Sequence, residues 1–192
     1  MSALDTLISS ATANPAHIVL PEGEDPRIVE GAMKAVVAGL ASITLLGEED
    51  KIVSQIELID GGKSALETGK VRVINPAVSD KVPAYSEELL SFRAGKIANE
   101  KAAIQLVHDS LVFAALMVRL GDADGTLGGA VYTTADTVRT ALQMIGKAKT
   151  SKIVSSFFLM VLPNGREGKE EVVVFSDCGL VVEPDAEQLA GI

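Results

Sequence analysis

The stretch HIVLPEGEDPRIVEGAMKAVVAGLASITLL, residues 17–46, reads as a strand, a helix and a second strand in that order. His17 to Leu20 is a short apolar run with strand character. Pro21-Glu22-Gly23-Glu24-Asp25 breaks it, and Asp25 followed by Pro26 is a helix start, with the aspartate as cap and the proline at the first helical position. Ile28, Val29, Met33, Val36 and Val37 give that helix an apolar face, Gly39 ends it, and Ser42 to Leu46 is a continuous apolar strand. Strands without polar alternation are covered on both faces, as in a parallel sheet.

The same alternation continues on either side. Leu4, Leu7, Ile8 and Ala11 keep a helical spacing that Asn14-Pro15 stops. Downstream, Glu48 to Leu58 reads as a helix and Val71 to Ile74 as a strand. Three helical pieces follow, about 84–95, 99–108 and 110–120, the last apolar nearly all round and therefore buried. Asp124 to Leu127 is a further strand, and Gly128-Gly129-Ala130 leads through Tyr132 into a helix over about 133–145. The class is α/β, a parallel sheet with helices on both faces.

Gly146-Lys147-Ala148-Lys149-Thr150 is a short basic polar stretch that reads as a linker. The expected division is a first α/β domain over 1–149 and the beginning of a second over 150–192. In the second, Ile153 to Leu162 and Glu171 to Phe175 are β-rich runs, and residues 163–168 between them look like the loop of an antiparallel hairpin. Asp185 and Gln188 form a capping box, Leu189 and Ile192 begin an apolar face, and there the sequence stops. On this reading the second domain is incomplete, and its uncovered strands predict self-association into a homo-oligomer.

Composition excludes several classes. With 17 basic and 26 acidic residues in 192, the net charge of −9 gives no summed positive field to hold a nucleic acid, and without Trp the base-stacking platforms of single-strand binders are missing. The longest run without a charged residue, the 16 residues Thr6 to Pro21, is short of the ~20 that span a bilayer, so no membrane partner is expected. No positive segment opens the chain, and a soluble cytoplasmic protein is the expectation. A single cysteine rules out a disulfide framework, and His17 and His108 are too far apart in sequence to suggest a metal cluster.

The strongest local signal for chemistry is the run from Gly128 to Arg139, where a strand, a glycine pair and a Thr-rich helix start occur in succession. Glycines let backbone approach a ligand, and free N–H groups at a helix N-terminus attract phosphate. Thr133 either lines such an anion site or simply caps the helix with Asp136 at its third position. Arg139 either reaches a phosphate or pairs with Asp136 one turn away. Arg93, with Lys96, closes a helix, where a cation answers the negative end of the dipole. Glu22, Glu24 and Asp25 read as a cap and its solvent-exposed neighbours. Cys178, beside Asp177, reads as a small buried hydrophobe, His17 as a satisfied strand residue, His108 as a helix-end residue, and Met33, Met117, Met144 and Met160 as core filling.

Leu20-Pro21-Glu22-Gly23 with Asp25 and Arg27, Leu45-Leu46-Gly47, Ala123-Asp124-Gly125, Gly129-Ala130 with Thr134-Ala135-Asp136-Thr137-Val138-Arg139, and Phe175-Ser176-Asp177-Cys178 occur in an order that resembles the phosphate acetyltransferases. The resemblance covers essentially the whole sequence. It implies acetyl transfer between coenzyme A and inorganic phosphate, with CoA as substrate and no metal or resident cofactor. It also implies two α/β domains of the three-layer α/β/α, isocitrate/isopropylmalate dehydrogenase-like type, with the active site in the cleft between them. Arg93 and Arg139 would contact phosphate groups of the substrates, and Thr133 and Thr134 would line the same pocket. Catalytic residues are not assignable: family members are much longer, and their Ser-Arg pair and acid have no counterpart here. Tyr132 stands where the family often has His, Gly128 where it often has Ser, and Thr140 where it often has Pro. A non-catalytic CoA- or phosphate-binding protein and a phosphate butyryltransferase-like enzyme are the alternatives.

Overall fold

The computed structural model describes residues 2–165 and 168–192. They form two compact units: one is Ala11–Ile145, and the other joins the residues up to Ser10 with Gly146–Ile192. Among the described residues no single helix is long and apolar enough to cross a membrane.

The larger unit is built on four parallel strands, β1 (Ala16–Leu20), β2 (Ala41–Leu46), β3 (Val71–Ile74) and β4 (Gly125–Thr126), in the order β3-β2-β1-β4. Helix α2 (Pro26–Val37) connects β1 to β2, α3 (Glu49–Glu57) and α4 (Gly62–Glu67) connect β2 to β3, and α5 (Val82–Phe92), α6 (Glu100–Val107) and α7 (Ser110–Leu120) connect β3 to β4. Helix α8 (Thr134–Met144) follows the last strand. Successive side chains of a strand point to opposite faces, and both faces here are apolar. Ile18, Leu20, Ile43, Leu45, Val71 and Val73 pack against α2, α3 and α4. Val19 and Leu46 pack on the other side with Tyr85 and Leu89 of α5, Ala103 of α6, the buried length of α7 and Met144 of α8. The result is a three-layer α/β/α arrangement.

Local chemistry sets the helix limits. Asp25, in an extended conformation, accepts the Arg27 amide at 2.9 Å and caps α2, Pro26 begins it, and Gly39 at φ +69° turns the chain away after it. Asp109 accepts the amides of Leu111 and Val112 to cap α7, and Gly121 at φ +78° stops it. Helix α4 has no counterpart in the sequence reading, because six residues are too few to show a period. Gly62 packs so tightly there that a Cβ would lie 1.9 Å from the Ile56 carbonyl oxygen.

The cap of α2 makes a pH prediction. The Arg27 guanidinium and amide pull the Asp25 carboxyl from 3.8 down to about 2. A carboxylate whose folded pKa is depressed contributes stability that is present above pH ~4 and lost as pH falls through the folded value. Wild type is therefore expected to melt above Asp25→Asn near neutrality, with the gap closing between about pH 4 and pH 2. Paired thermal melts check this, and a gap as wide at pH 2 as at neutrality contradicts it.

In the smaller unit, β5 (Phe157–Leu162) and β6 (Glu171–Ser176) pair antiparallel, from Phe157 opposite Ser176 to Leu162 opposite Glu171. Two residues of the expected hairpin loop, Arg166 and Glu167, lie outside the described residues. Helix α9 (Ala186–Gly191) begins with the expected capping box: Asp185 accepts the Gln188 amide at 2.8 Å and Gln188 accepts the Asp185 amide at 3.0 Å. Helix α1 (Ala3–Ala13) is present where its spacing predicts, with Leu4, Leu7 and Ile8 exposed. Phe157, Phe158, Leu159, Met160 and Phe175 on the hairpin are exposed too. Met160 is thus not core filling, because among the described residues no layer covers it on this two-stranded sheet.

Candidate functional site

In an open parallel sheet, ligands bind beyond the carboxyl ends of the strands, where the chain direction across the sheet reverses. Here that point lies between β1 and β4: the connection after β1 runs toward β2 on one side, while β4 pairs on the other. Two loops emerge side by side there, Pro21–Asp25 after β1 and Leu127–Thr133 after β4.

The first loop is held down at Gly23, whose amide donates to the Leu46 carbonyl at 3.1 Å. A Cβ on Gly23 would lie 2.7 Å from that oxygen, so glycine is what permits the approach. This places the Glu22 carboxylate against the second loop. It accepts the amides of Gly129 (3.1 Å to each oxygen), Ala130 (2.9 Å), Val131 (2.7 Å) and Tyr132 (2.7 Å). Gly129 adopts φ +118° to turn its amide inward. Arg27 braces the loop from outside, donating to the Ala130 carbonyl at 3.2 Å and to both Asp25 oxygens.

Glu22 is only 6% exposed, which corrects its reading as a surface neighbour of the cap. The amides of Gly129 to Tyr132 form an anion cradle, but the anion in it is the protein's own carboxylate. Burial pushes the Glu22 carboxyl up, the four amides more than reverse this, and its pKa lies below the ordinary value.

Helix α8 starts at the end of this loop. Thr133 accepts the Asp136 amide at 3.1 Å and its hydroxyl donates to Asp136 Oδ2 at 2.6 Å, while Arg139 donates to Asp136 Oδ1 at 2.8 Å. The capping role of Thr133 and the ion pair of Arg139 are both realised. The Thr133 hydroxyl and the Arg139 guanidinium hold Asp136 below the usual carboxylate range. Arg93, at the end of α5, donates to Gln143 Oε1 at 3.5 Å. Gln143 lies four residues after Arg139, on the same side of the helix. Thr133, Asp136, Arg139 and Gln143 thus form one stripe of α8, and Arg93 reaches that stripe from α5. Thr134 is not on it: five residues before Arg139, it points about 140° around the helix from the arginine.

Arg119 fixes the far end of α8. It donates to the Met144 carbonyl at 3.2 Å and to Glu88 at 2.9 Å, and its guanidinium lies 3.7 Å from the centre of the Phe92 ring, next to Arg93. Two guanidinium groups beside one helix stripe can hold oxyanions in a protein whose overall charge repels them.

The pattern that defines the family described as Phosphate acetyl/butaryl transferase matches residues 2–192. The chain belongs to that family. Across all 192 residues it is 42% identical to a phosphate acetyltransferase of Paracoccus denitrificans, covering 55% of that protein, and 36% identical to one of Thermoanaerobacterium thermosaccharolyticum, covering 56% of it. A solved phosphotransacetylase from Streptococcus pyogenes superimposes with a TM-score of 0.84 at 30% identity, over 99% of this chain and 56% of that one. The EutD phosphotransacetylase from Staphylococcus aureus gives 0.80 at 30% identity, over 98% and 53%. The chain spans about half the length of these relatives.

For a phosphate acetyl/butaryl transferase, the remaining titratable candidates are informative by what they already do. His17 shares a 2.8 Å hydrogen bond with Thr44 inside the sheet, and its amide donates to Asp124 at 2.7 Å, so it is the satisfied strand residue its position suggests. His108 ends α6. Cys178 is exposed, which corrects its reading as a buried hydrophobe: it follows β6, where no further layer covers the hairpin among the described residues. Asp177 accepts the Ser156 hydroxyl and the amides of Gly179, Leu180 and Val181, which together hold its carboxyl far below the usual range. Met33, Met117 and Met144 are buried as core filling. Among the described residues no group of three His, Cys, Asp or Glu side chains is placed to hold a metal ion.

Proposed function

We propose that the protein transfers an acetyl group between coenzyme A and inorganic phosphate, with Arg93, Arg139 and Thr133 holding oxyanions of the substrates. Family membership over the whole chain supports the reaction, and the common stripe of Arg139 and Gln143, reached by Arg93, supports the role of the two arginines. In the direction that makes acetyl phosphate, a phosphate oxygen bonds to the thioester carbonyl carbon, the carbon–sulfur bond breaks, and the CoA sulfur leaves as a thiolate that takes up a proton. Phosphate and CoA are both multiply charged, and bringing them together needs fixed cations before any proton moves. Arg93 and Arg139 supply them.

Asp136 is the carboxylate paired with Arg139, but Thr133 and Arg139 engage it and depress its pKa, which makes it a weak base. Proton transfer at the CoA sulfur is therefore assigned to a group outside the α8 stripe. Titration of the protein with CoA and with phosphate in a calorimeter, followed by assay of acetyl phosphate formation, tests the reading. Binding of both ligands is the expected result, with acetyl-CoA preferred to butyryl-CoA wherever turnover is measured. Failure to bind either CoA or phosphate overturns it.

A further inference from the structure

Glu22 takes no part in the chemistry proposed above, yet it is the most heavily engaged carboxylate near the candidate site. Among the described residues, its carboxylate accepts the backbone amides of four successive residues, Gly129 to Tyr132, at 2.7–3.1 Å. A loop that turns successive amides toward one point gathers their positive ends there, and an anion at its centre is what offsets them. The loop ends at Thr133, the cap of α8, and α8 carries Arg139. Its other end is tied by Arg119 to the Met144 carbonyl. One end of the helix is thus fixed by a cation on a carbonyl and the other by an anion on four amides.

We infer that Glu22 is a positioning residue: it is the built-in counter-anion of the Gly129–Tyr132 amides and, through them and Thr133, sets where Arg139 presents its guanidinium. The consequence for substrate rests on the function proposed above, but the occupancy of the cradle does not. An external phosphate does not enter the cradle while Glu22 fills it, so substrate anions meet Arg93 and Arg139 instead.

The experiment uses Glu22→Ala and Glu22→Gln, compared with wild type, with and without added formate, a carboxylate small enough to replace the missing one. In Glu22→Ala the expected results are a melting temperature that rises with formate but not with chloride of equal ionic strength, and CoA binding weakened roughly ten- to a hundredfold. Formate is expected to restore that binding. Glu22→Gln presents an NH2 group to amide donors, so it is expected to weaken CoA binding as well despite its matched shape. A folded Glu22→Ala whose melting temperature and CoA affinity equal those of wild type overturns the inference, as does one that formate does not restore. Where Glu22→Ala does not fold unaided, refolding yield is the readout: dependence on formate supports the inference, and indifference to it overturns it. The two proposals separate cleanly: absence of CoA binding by wild type defeats the proposed function, whereas the response of Glu22→Ala melting to formate stands or falls independently of it.

Discussion

Replacing Phe113 with alanine is expected to lower the free energy of unfolding by about 3–5 kcal/mol. Phe113 is fully buried in the middle of α7, a helix covered over most of its length, and its ring centre lies 4.9 Å from that of Tyr85 at an interplanar angle of 48°. Truncation removes both the transfer energy of the ring and its tilted aromatic contact, and it leaves a void that neighbouring helices fill only in part. Tyr85 is poorly placed to relax into that void, because its hydroxyl donates to Asp122 Oδ2 at 2.5 Å, an oxygen that also accepts from Lys81 at 2.8 Å. Urea melts followed by circular dichroism read the change as a lower midpoint at constant slope. Val37→Ala, at a position 72% exposed on α2, is the control and is expected to change stability by no more than about 0.5 kcal/mol. A Phe113→Ala loss no larger than the control's would contradict the packing described for α7.

The second large effect concerns function and leaves stability nearly alone. Arg139→Ala is expected to weaken binding of CoA or phosphate by roughly ten- to a hundredfold, since charge-assisted contacts from a guanidinium to an oxyanion are among the stronger hydrogen bonds. Its ion pair with Asp136 is exposed on both sides, so the cost to folding is expected to stay below about 1 kcal/mol. Arg139→Lys keeps the charge but not the planar fork, and is expected to recover only part of the loss. Arg93→Ala is expected to act in the same sense. If both arginines hold one ligand, the double variant departs from additivity by about 0.5–3 kcal/mol in binding. Calorimetric titration of the four proteins checks this. Wild-type affinities for both ligands in Arg139→Ala, with the fold intact, would remove Arg139 from the site.

What could be read from the sequence follows the range of the interactions. The cap of α2 at Asp25, the capping box at Asp185 and Gln188, and the pairing of Thr133 and Arg139 with Asp136 are contacts between residues two or three apart, and each is visible as a local pattern. The layering was legible because both faces of β1 and β2 are apolar. The place of Glu22 was not, because only the strand order, with β1 next to β4, brings it to Gly129 across 107 residues. The exposure of Cys178 and Met160 was illegible for a related reason: an apolar strand looks the same whether or not a layer covers it.

The span between Glu22 and its amide partners also orders events in time. Contacts between distant chain segments form late, because closing the intervening loop costs entropy before any bond repays it. The strand–helix–strand unit over β1, α2 and β2 can assemble from its own neighbours. The start of α8 cannot: its loop waits for β4 to dock beside β1 and for a carboxylate 107 to 110 residues upstream. During synthesis, the edge of the larger unit that carries Arg139 is accordingly among its last parts to take shape, after most of the sheet it stands on.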